Sequence, residues 1–444
     1  MRFDLVFVLL FAVAAAVALA ARRFRVPYTV ALVLAGLGLG SAHAFEAPHL
    51  TKDLLYAVFL PGLVFEAAFH LDARHFLDNK LAVSALAVPG VAASIALTAA
   101  LLTPVAAGLH FVEGFRLSHG LVFAAVVAAT DPIAVVGLFK SLGAPRRLAV
   151  LLEGESLLND GTAIVFFTII LGVVAGAKMT VASAALEFVK IVGMGTAIGL
   201  AVGYLASKVI QLVDDPMIEI TVTTIAAYGS FVAAEHLHYS GVIATVAAGM
   251  LCGNYGARTG MSPSTRIAVE TFWEYVAFAL NSFVFLLIGF EVRVERLLAS
   301  WKPIAVAWVA MTVARAVVIY GVSALLRPTR ERVPWSWSTV LVWGGLRGAL
   351  SMVLVLGLAT DFPHRDLLVT MTFGVVIVSI LIQGVSMAPL LRRFGLVSRA
   401  ELRVRYEVAR GAGRSASAAL GVLDRLWREG LVHRDVLDTL RAEY

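Results

Sequence analysis

The sequence predicts an all-α polytopic membrane protein of about thirteen transmembrane helices, with inverted repeats and two discontinuous helices. Of its 444 residues, 60% are hydrophobic and 15% are charged, whereas a soluble domain carries about 25% charged residues. The mean hydropathy is +0.87. The apolar residues form segments of the length that a membrane-spanning helix needs, about 20 residues.

Charged residues, prolines and glycines divide the hydrophobic sequence into thirteen candidate spans. The first span is interpreted as an uncleaved helix, because its positive cluster of Arg22, Arg23 and Arg25 follows the apolar run, whereas a signal peptide has its positive charges before it. In chain order the spans cover about residues 4–21, 26–42, 53–70, 81–108, 117–139, 148–175, 180–207, 216–235, 240–254, 268–290, 300–326, 334–360 and 367–391.

The charges between the spans predict the orientation. The odd-numbered connections, counted from the first, carry twice as many Lys and Arg residues as the even-numbered ones. Positively charged loops stay in the cytoplasm, so we expect the N-terminus outside and the C-terminus inside. The Ala- and Arg-rich composition suggests a bacterial inner (plasma) membrane. The net charge of +6 fits basic loops and does not indicate nucleic-acid binding.

Span three carries the first acid within a hydrophobic segment. Glu66 follows Leu60-Pro61-Gly62-Leu63-Val64-Phe65 near the end of the span. It can line a route for ions, or it can lie at an interface between helices. The sequence alone leaves both interpretations open.

Span five contains Thr130-Asp131-Pro132 in the middle of an apolar run. Pro132 has no backbone N–H, so the helix is predicted to kink or unwind there. Freed carbonyl groups beside a carboxylate suit a dehydrated Na⁺ ion. The alternative is that these residues start a helix, with Asp131 as its cap.

Span six contains a polar cluster, Glu153-Gly154-Glu155-Ser156-Leu157-Leu158-Asn159-Asp160-Gly161. An ionisable group inside a membrane costs about 2.5–3.5 kcal/mol or more and therefore indicates function. By helical geometry Ser156 and Asp160 share one face, while Glu155 and Asn159 share the adjacent face. One face can coordinate a cation while the other binds a structural partner. The alternative is a solvated acidic cluster at a helix end.

The two acids Asp131 and Asp160 are predicted to lie at similar depth. Asp131 is nine residues before Lys140, and Asp160 is thirteen residues after Arg147. These separations correspond to roughly 14 and 20 Å of helix in a hydrocarbon core about 30 Å thick. Both acids therefore fall near the midplane, on antiparallel helices joined by a short loop.

Two arginines lie in the middle of later spans. Arg315 is the sole charge between Lys302 and Arg327, which makes it a candidate partner for Glu155. Arg347 lies among the glycines of Gly344-Gly345-Leu346-Arg347-Gly348 in span twelve. These glycines predict a second broken helix, or alternatively close packing of helices. Breaks in spans five and twelve would suit an inverted repeat of spans 4–6 and 11–13.

Four motifs together resemble the NhaP-type sodium/proton antiporters of the monovalent cation:proton antiporter superfamily. They are Ala129-Thr130-Asp131-Pro132-Ile133-Ala134-Val135, the cluster from Glu153 to Gly161, Phe285-Leu286-Leu287-Ile288-Gly289, and Gly344-Gly345-Leu346-Arg347-Gly348-Ala349. The resemblance covers about residues 1–395. It implies a thirteen-helix protomer and a homodimer within the lipid bilayer.

The resemblance also implies a division of the chain. Residues 1–70 and 216–291 would form the dimerisation scaffold, 81–175 and 300–392 the mobile ion-transporting core, and 180–207 a linker helix. Residues 393–444, outside the resemblance, are predicted to form a cytoplasmic tail of amphipathic helix.

By position in the motifs, the resemblance gives roles to single residues. Asp160 would bind proton and cation in turn, with Asp131, Ser156 and the Thr130 backbone as co-ligands of Na⁺. Glu155 and Arg315 would form a structural ion pair, and Asn159 beside Asp160 resembles the electroneutral branch.

The predicted function is secondary antiport of Na⁺, or Li⁺, against H⁺, because both ions compete for Asp160. No cofactor, nucleotide or nucleic acid is expected, and the protein is not expected to be an enzyme. Three alternatives remain: K⁺/H⁺ exchange by the same fold, a cation channel, and an intramembrane hydrolase with Ser156 as nucleophile. The last lacks a His or Lys at matching depth to act as base.

Overall fold

The computed structural model describes residues 3–24, 27–42, 54–108, 114–292, 294–397, 400–435 and 437–438. All regular structure within these ranges is helical, so the prediction of an all-α fold is confirmed. In the described part of the chain, 7 helices are long and apolar enough to cross a membrane, and shorter apolar helices accompany them. Arg25 of the predicted first loop and residues 439–444 of the predicted tail lie outside the described residues.

The helices are numbered here in chain order. They are α1 Phe3–Phe24, α2 Tyr28–Ser41, α3 Leu55–His70, α4 Ala73–Leu77, α5 Lys80–Gly108, α6 Leu117–Val126, α7 Ile133–Leu142, α8 Arg146–Val174, α9 Val181–Ile210, α10 Pro216–His236, α11 Gly241–Leu251, α12 Pro263–Glu291, α13 Val294–Ala299, α14 Trp301–Leu325, α15 Trp335–Trp343, α16 Ala349–Leu356, α17 Arg365–Arg393 and α18 Ala400–Arg428. Helix α11 continues through a π-helical turn, Cys252–Gly256, and a short helical turn, Ala257–Thr259.

Two spans are interrupted in the middle. Residues 127–132 separate α6 from α7, and residues 344–348 separate α15 from α16. Pro132 cannot donate a backbone hydrogen bond, and the glycines of the second break lack the side chains that favour a continuous helix. The predicted pair of discontinuous helices is therefore confirmed.

The two breaks lie against each other and exchange hydrogen bonds. The backbone N–H of Asp131 donates to the carbonyl oxygen of Leu346 at 2.8 Å. Nη1 of Arg347 donates to the carbonyl oxygens of Ala128 at 2.9 Å and Ala129 at 3.0 Å. Unwound backbone in a membrane needs partners inside the protein, and each break here supplies partners to the other.

The remaining helices pack around this centre in close pairs. Helix α2 lies along α12, and a side chain at Gly36 or Gly289 would collide with the backbone of the facing helix. Helix α11 packs against α3, α9 and α10, whereas α5 packs against α6 and α14. The assignment of these helices to a scaffold, a core and a linker stays a prediction.

Candidate ion-binding site

A cavity of about 420 Å³ extends from the two breaks toward one end of the helices. Asp131, from the first break, and Asp160, from α8, both line it, and so do Thr130 and Ser156. Residues that are about 30 positions apart in sequence thus share one cavity, because α7 and α8 are antiparallel neighbours joined by a short loop.

Asp131 lies at the point where α7 begins. Its Oδ1 accepts a hydrogen bond from the backbone N–H of Ile133 at 3.0 Å, and Ile133 is the first residue of α7. The carboxylate thus satisfies one of the free N–H groups of a helix start. The two interpretations of Thr130-Asp131-Pro132, a broken helix and a helix start, describe the same structure, since α7 starts inside the span.

Oxygen atoms from both segments meet beside the two acids. The hydroxyl of Thr130 donates to Oγ of Ser156 at 3.2 Å, and the hydroxyl of Ser156 donates to the carbonyl oxygen of Thr130. The backbone of Thr130 lies close to the carboxylate of Asp160, and both residues line the cavity. Carboxylate, hydroxyl and carbonyl oxygens are the ligands that hard cations prefer, so this arrangement can hold a small cation.

The adjacent face of α8 carries a buried ion pair. Arg315 donates from Nη1 to Oε1 of Glu155 at 3.1 Å and from Nη2 to Oε2 at 2.9 Å. Its Nε and Nη2 also donate to the carbonyl oxygen of Leu341, at 3.3 and 3.1 Å. This bidentate geometry, with a further acceptor for the arginine, is what a buried pair requires.

Asn159 connects the ion pair to the first break. Its Nδ2 donates to the carbonyl oxygen of Ala128 at 3.1 Å and to Oγ1 of Thr130 at 3.0 Å. It lines a second, smaller chamber together with Glu155 and Arg315, while Ser156 and Asp160 line the large cavity. Asn159 therefore contacts the first break from the side of α8 that faces the ion pair.

Arg347 is buried at the second break and is held by residues that the sequence did not single out. Its Nε donates to Sδ of Met311 at 2.9 Å, and its backbone N–H donates to Oγ of Ser379 at 3.1 Å. Met311 and Ser379 lie in apolar helical sequence with no local pattern that marks them. Only the packing of α14 and α17 against the break brings them to Arg347.

The glycines of the second break allow close contact as well as unwinding. A side chain at Gly345 would collide with the guanidinium of Arg315, and one at Gly348 would collide with the carboxylate of Asp131. The sequence left two interpretations of these glycines open, a broken helix and close packing, and the structure has both.

Four charged or titratable residues line the outer part of the large cavity: Glu66, His70, Lys140 and Glu153. Nδ1 of His70 lies 3.2 Å from Oε1 of Glu66. Glu153 was not among the residues that the sequence singled out for the site. The available signal was its spacing, since it precedes Asp160 by seven residues and so lies on the same helix face.

The outer part of the large cavity lies at the end of α3, at the end of α7 and near the start of α8. The cavity therefore extends toward the odd-numbered connections.

Asp72 organises the connection beside this end of the cavity. It accepts hydrogen bonds from the backbone N–H groups of Arg74 at 2.9 Å and His75 at 3.3 Å, and from Nη2 of Arg146 at 3.3 Å. Partial burial acts to raise the pKa of the Asp72 carboxyl, but the two backbone hydrogen bonds and the side chain of His75 more than offset it, and the pKa is lowered. Asp72 thus stays charged and ties the end of α3 to the start of α8.

Comparison with known families and proteins finds a family that matches most of the chain. The profile of the family described as "Sodium/hydrogen exchanger, transmembrane" matches residues 7–393. The Na⁺/H⁺ antiporter ApNhaP of Aphanothece halophytica is 37% identical over 387 residues, 86% of this chain and 73% of that protein. The Na⁺/H⁺ antiporter NhaP of Pseudomonas aeruginosa is 38% identical over 355 residues, 77% of this chain and 81% of that protein. The resemblance inferred from the motifs is confirmed.

A solved structure has the same fold. The sodium proton antiporter MjNhaP1 from Methanocaldococcus jannaschii, determined at pH 8, superposes with a TM-score of 0.70. The match covers 88% of this chain and 98% of that one, at 17% sequence identity. At this identity the match shows the fold alone.

Proposed function

Because the chain belongs to the transmembrane sodium/hydrogen exchanger family, we propose that it exchanges Na⁺, or Li⁺, for H⁺, with Asp160 as the exchanging carboxylate. The observation that carries the proposal is that Asp131 and Asp160 line one cavity at the point where both broken spans meet. Asp131, Ser156 and the Thr130 backbone are the proposed co-ligands of the cation, and no other cofactor is proposed.

Coupling follows from competition for the same oxygen atoms. A carboxylate within a membrane is costly while it carries an uncompensated charge. Either a proton or a cation bound at Asp160 removes this cost, but both cannot occupy the same oxygen atoms. One Na⁺ is therefore exchanged for one H⁺, and the exchange is electroneutral, because the residue beside Asp160 is the uncharged Asn159.

Alternating access is proposed to move residues 81–175 and 300–392 against residues 1–70 and 216–291. The support is the position of the cavity, whose walls come from both parts. Tyr28, Leu63 and Phe278 belong to the proposed scaffold, whereas Val136 and Leu350 belong to the proposed core. A ligand between two bodies can be exposed to either side when one body moves. We also propose that the scaffold forms a homodimer.

The alternatives raised by the sequence are less well supported. K⁺/H⁺ exchange is not favoured, since the curated relatives are named Na⁺/H⁺ antiporters. A cation channel would not couple its flux to protons, and membership of an exchanger family argues against it.

Everted membrane vesicles loaded with a pH-sensitive dye test the proposal. We expect addition of Na⁺ or Li⁺ to dissipate the pH gradient in vesicles with the wild-type protein, and addition of K⁺ to have much less effect. Asp160→Asn should abolish the response, because an amide cannot release a proton. Glu187→Gln is the matched control, since Glu187 forms an exposed pair with Lys190 on α9, and it should retain exchange. A Na⁺ response that persists in folded Asp160→Asn protein would contradict the assignment.

A further inference from the structure

Asn281 is a polar residue of the proposed scaffold to which the proposed exchange gives no role. It lies in α12, ten residues before Glu291 at the end of the helix. This separation corresponds to about 15 Å of helix, half of a hydrocarbon core about 30 Å thick. Asn281 therefore lies near the midplane, as Asp131 and Asp160 are predicted to do. A polar side chain at this depth indicates either function or a hydrogen bond to another helix.

A hydrogen bond to another helix does not account for Asn281. The adjacent Ser282 has such a bond, because its Oγ lies 2.7 Å from the hydroxyl oxygen of Tyr28 on α2. Asn281 is also buried, with 6% of its surface exposed. Among the described residues, however, its side chain has no hydrogen-bond partner. Because buried amides in proteins are normally hydrogen-bonded, the side chain of Asn281 needs a partner from outside the chain.

The amide of Asn281 is open to the large cavity. Asn281 lines this cavity together with Ala277 and Phe278, which lie on the same face of α12 about one turn away. Its Oδ1 and Nδ2 are not among the unpartnered atoms of the described residues that are closed to solvent, so the exposed part of the side chain includes the amide. A ligand in the cavity can therefore reach it.

The cavity brings Asn281 into the same space as the proposed cation ligands. Asp131, Asp160 and Ser156 line it from the proposed core, whereas Asn281 lines it from the proposed scaffold. The volume of the cavity is about 420 Å³, many times the volume of about 10–15 Å³ that one water molecule needs on the same measure. A cation held at the two acids can therefore keep water molecules on its cavity side.

The amide oxygen of Asn281 has the chemistry that such a water molecule requires. A water molecule bound to a cation turns its oxygen toward the ion and its protons outward, so it needs a hydrogen-bond acceptor. Oδ1 of an asparagine is an acceptor with two lone pairs.

We propose that Asn281 positions the transported Na⁺ or Li⁺ ion from the scaffold side, by accepting a hydrogen bond from a water molecule of its hydration shell. The inference rests on the proposed function, since it adds a partner to the same site. Because Asn281 and the two acids belong to different bodies, this contact forms while the core and the scaffold hold the cavity open.

Removal of the amide tests the proposal in everted vesicles. Asn281→Leu keeps about the same side-chain size and removes both polar atoms. We expect the KM for Na⁺ to rise roughly fivefold, the factor that corresponds to one lost hydrogen bond. The maximal exchange rate should stay near that of the wild type, because Asp160 is unchanged. An unchanged KM in folded Asn281→Leu protein would overturn the proposal.

Thr245→Val is the matched control. Thr245 is fully buried in α11 of the proposed scaffold, and its hydroxyl donates to the carbonyl oxygen of Gly241 at 3.0 Å. The substitution thus removes a buried polar group from the scaffold at a position outside the cavity wall formed by the described residues, and it should keep the parent KM. An equal rise of the KM in both variants would overturn the proposal, because general disturbance of the scaffold would then explain it.

Binding of Na⁺ separates this inference from the proposed exchange. The purified protein in detergent is titrated with NaCl, with choline chloride as the reference salt, and binding is measured as the rise of the unfolding temperature. The half-saturating Na⁺ concentration should be roughly fivefold higher in Asn281→Leu than in the wild type, and equal values would overturn the inference. If this difference is found but wild-type vesicles do not exchange Na⁺ for H⁺, the proposed exchange fails and the role of Asn281 in binding stands.

Discussion

The pair of Glu155 and Arg315 illustrates what single residues contribute to this site. Both side chains are buried, at 3% and 7% exposed, so neither charge is solvated by water. Each charge is compensated by the other, and Arg315 also donates to the carbonyl oxygen of Leu341. Because the pair neutralises its own charges, the proposed exchange leaves the charge of Asp160, on the adjacent face of α8, to be balanced by a transported ion.

Removing one partner of this pair should destabilise the fold strongly. Arg315→Leu leaves the Glu155 carboxylate buried and unpaired, which typically costs about 3–5 kcal/mol. The measurement is the thermal unfolding of the purified protein in detergent. Lys190→Leu, in the exposed pair of α9, is the control and should have little effect. A stability of Arg315→Leu equal to that of the control would contradict the structural role of the pair.

At this scale the sequence identified residues whose chemistry is unusual for a membrane span. Arg315 was found because no other charge lies near it in sequence, and Asp131 because an acid and a proline interrupt an apolar run. Ser379 and Met311 were missed, since a serine or methionine in a hydrophobic helix has several ordinary explanations. Their contacts with Arg347 arise only from the packing of distant segments.

At the scale of the helices, the two breaks determine where polar groups meet. Sequence located both breaks, because Pro132 and the glycines 344, 345 and 348 act locally on the backbone. Their mutual contact, through the hydrogen bond from Asp131 to Leu346, was not predictable, because it joins residues more than 200 positions apart. The π-helical turns at Leu86–Gly90 and Ser379–Gly384 were also missed, since they follow no simple period.

The contact between the breaks predicts the result of enlarging a glycine. Gly348→Ala places a methyl group against the carboxylate of Asp131, which should displace this ligand and lower the exchange rate roughly 10–100-fold, as small misplacements of reacting groups do. The measurement is the dye response of vesicles to Na⁺.

Gly321→Ala is the control, because no atom lies within 4 Å of its added carbon. It should keep full exchange and gain about 0.5–1 kcal/mol of stability. Equal exchange rates in the two variants would argue against the close contact.

For the whole molecule, the sequence predicted the fold class and the family but not the shape of the cavity. Hydropathy marks a span wherever a helix is apolar, so it located the segments that became helices. The cavity exists because α12 and α3 stand apart from α7 and α8 over part of their length. Ala277 and Phe278 line it, although nothing in their apolar surroundings distinguishes them from residues that face lipid.

The cavity and the loop charges together predict the side from which the site is open. The cavity extends toward the odd-numbered connections, and these carry the excess of Lys and Arg that marks the cytoplasm. Ala67 lies exposed in the cavity, so Ala67→Cys should react with a membrane-impermeant maleimide in everted vesicles and not in right-side-out vesicles. Ala177→Cys, in the exposed connection between α8 and α9, should show the reverse pattern. Cys252 is buried, so the wild-type protein provides an unlabelled background. Labelling of both variants from the same side would contradict the assigned direction of the cavity, because Ala67 and Ala177 would then share one side of the membrane.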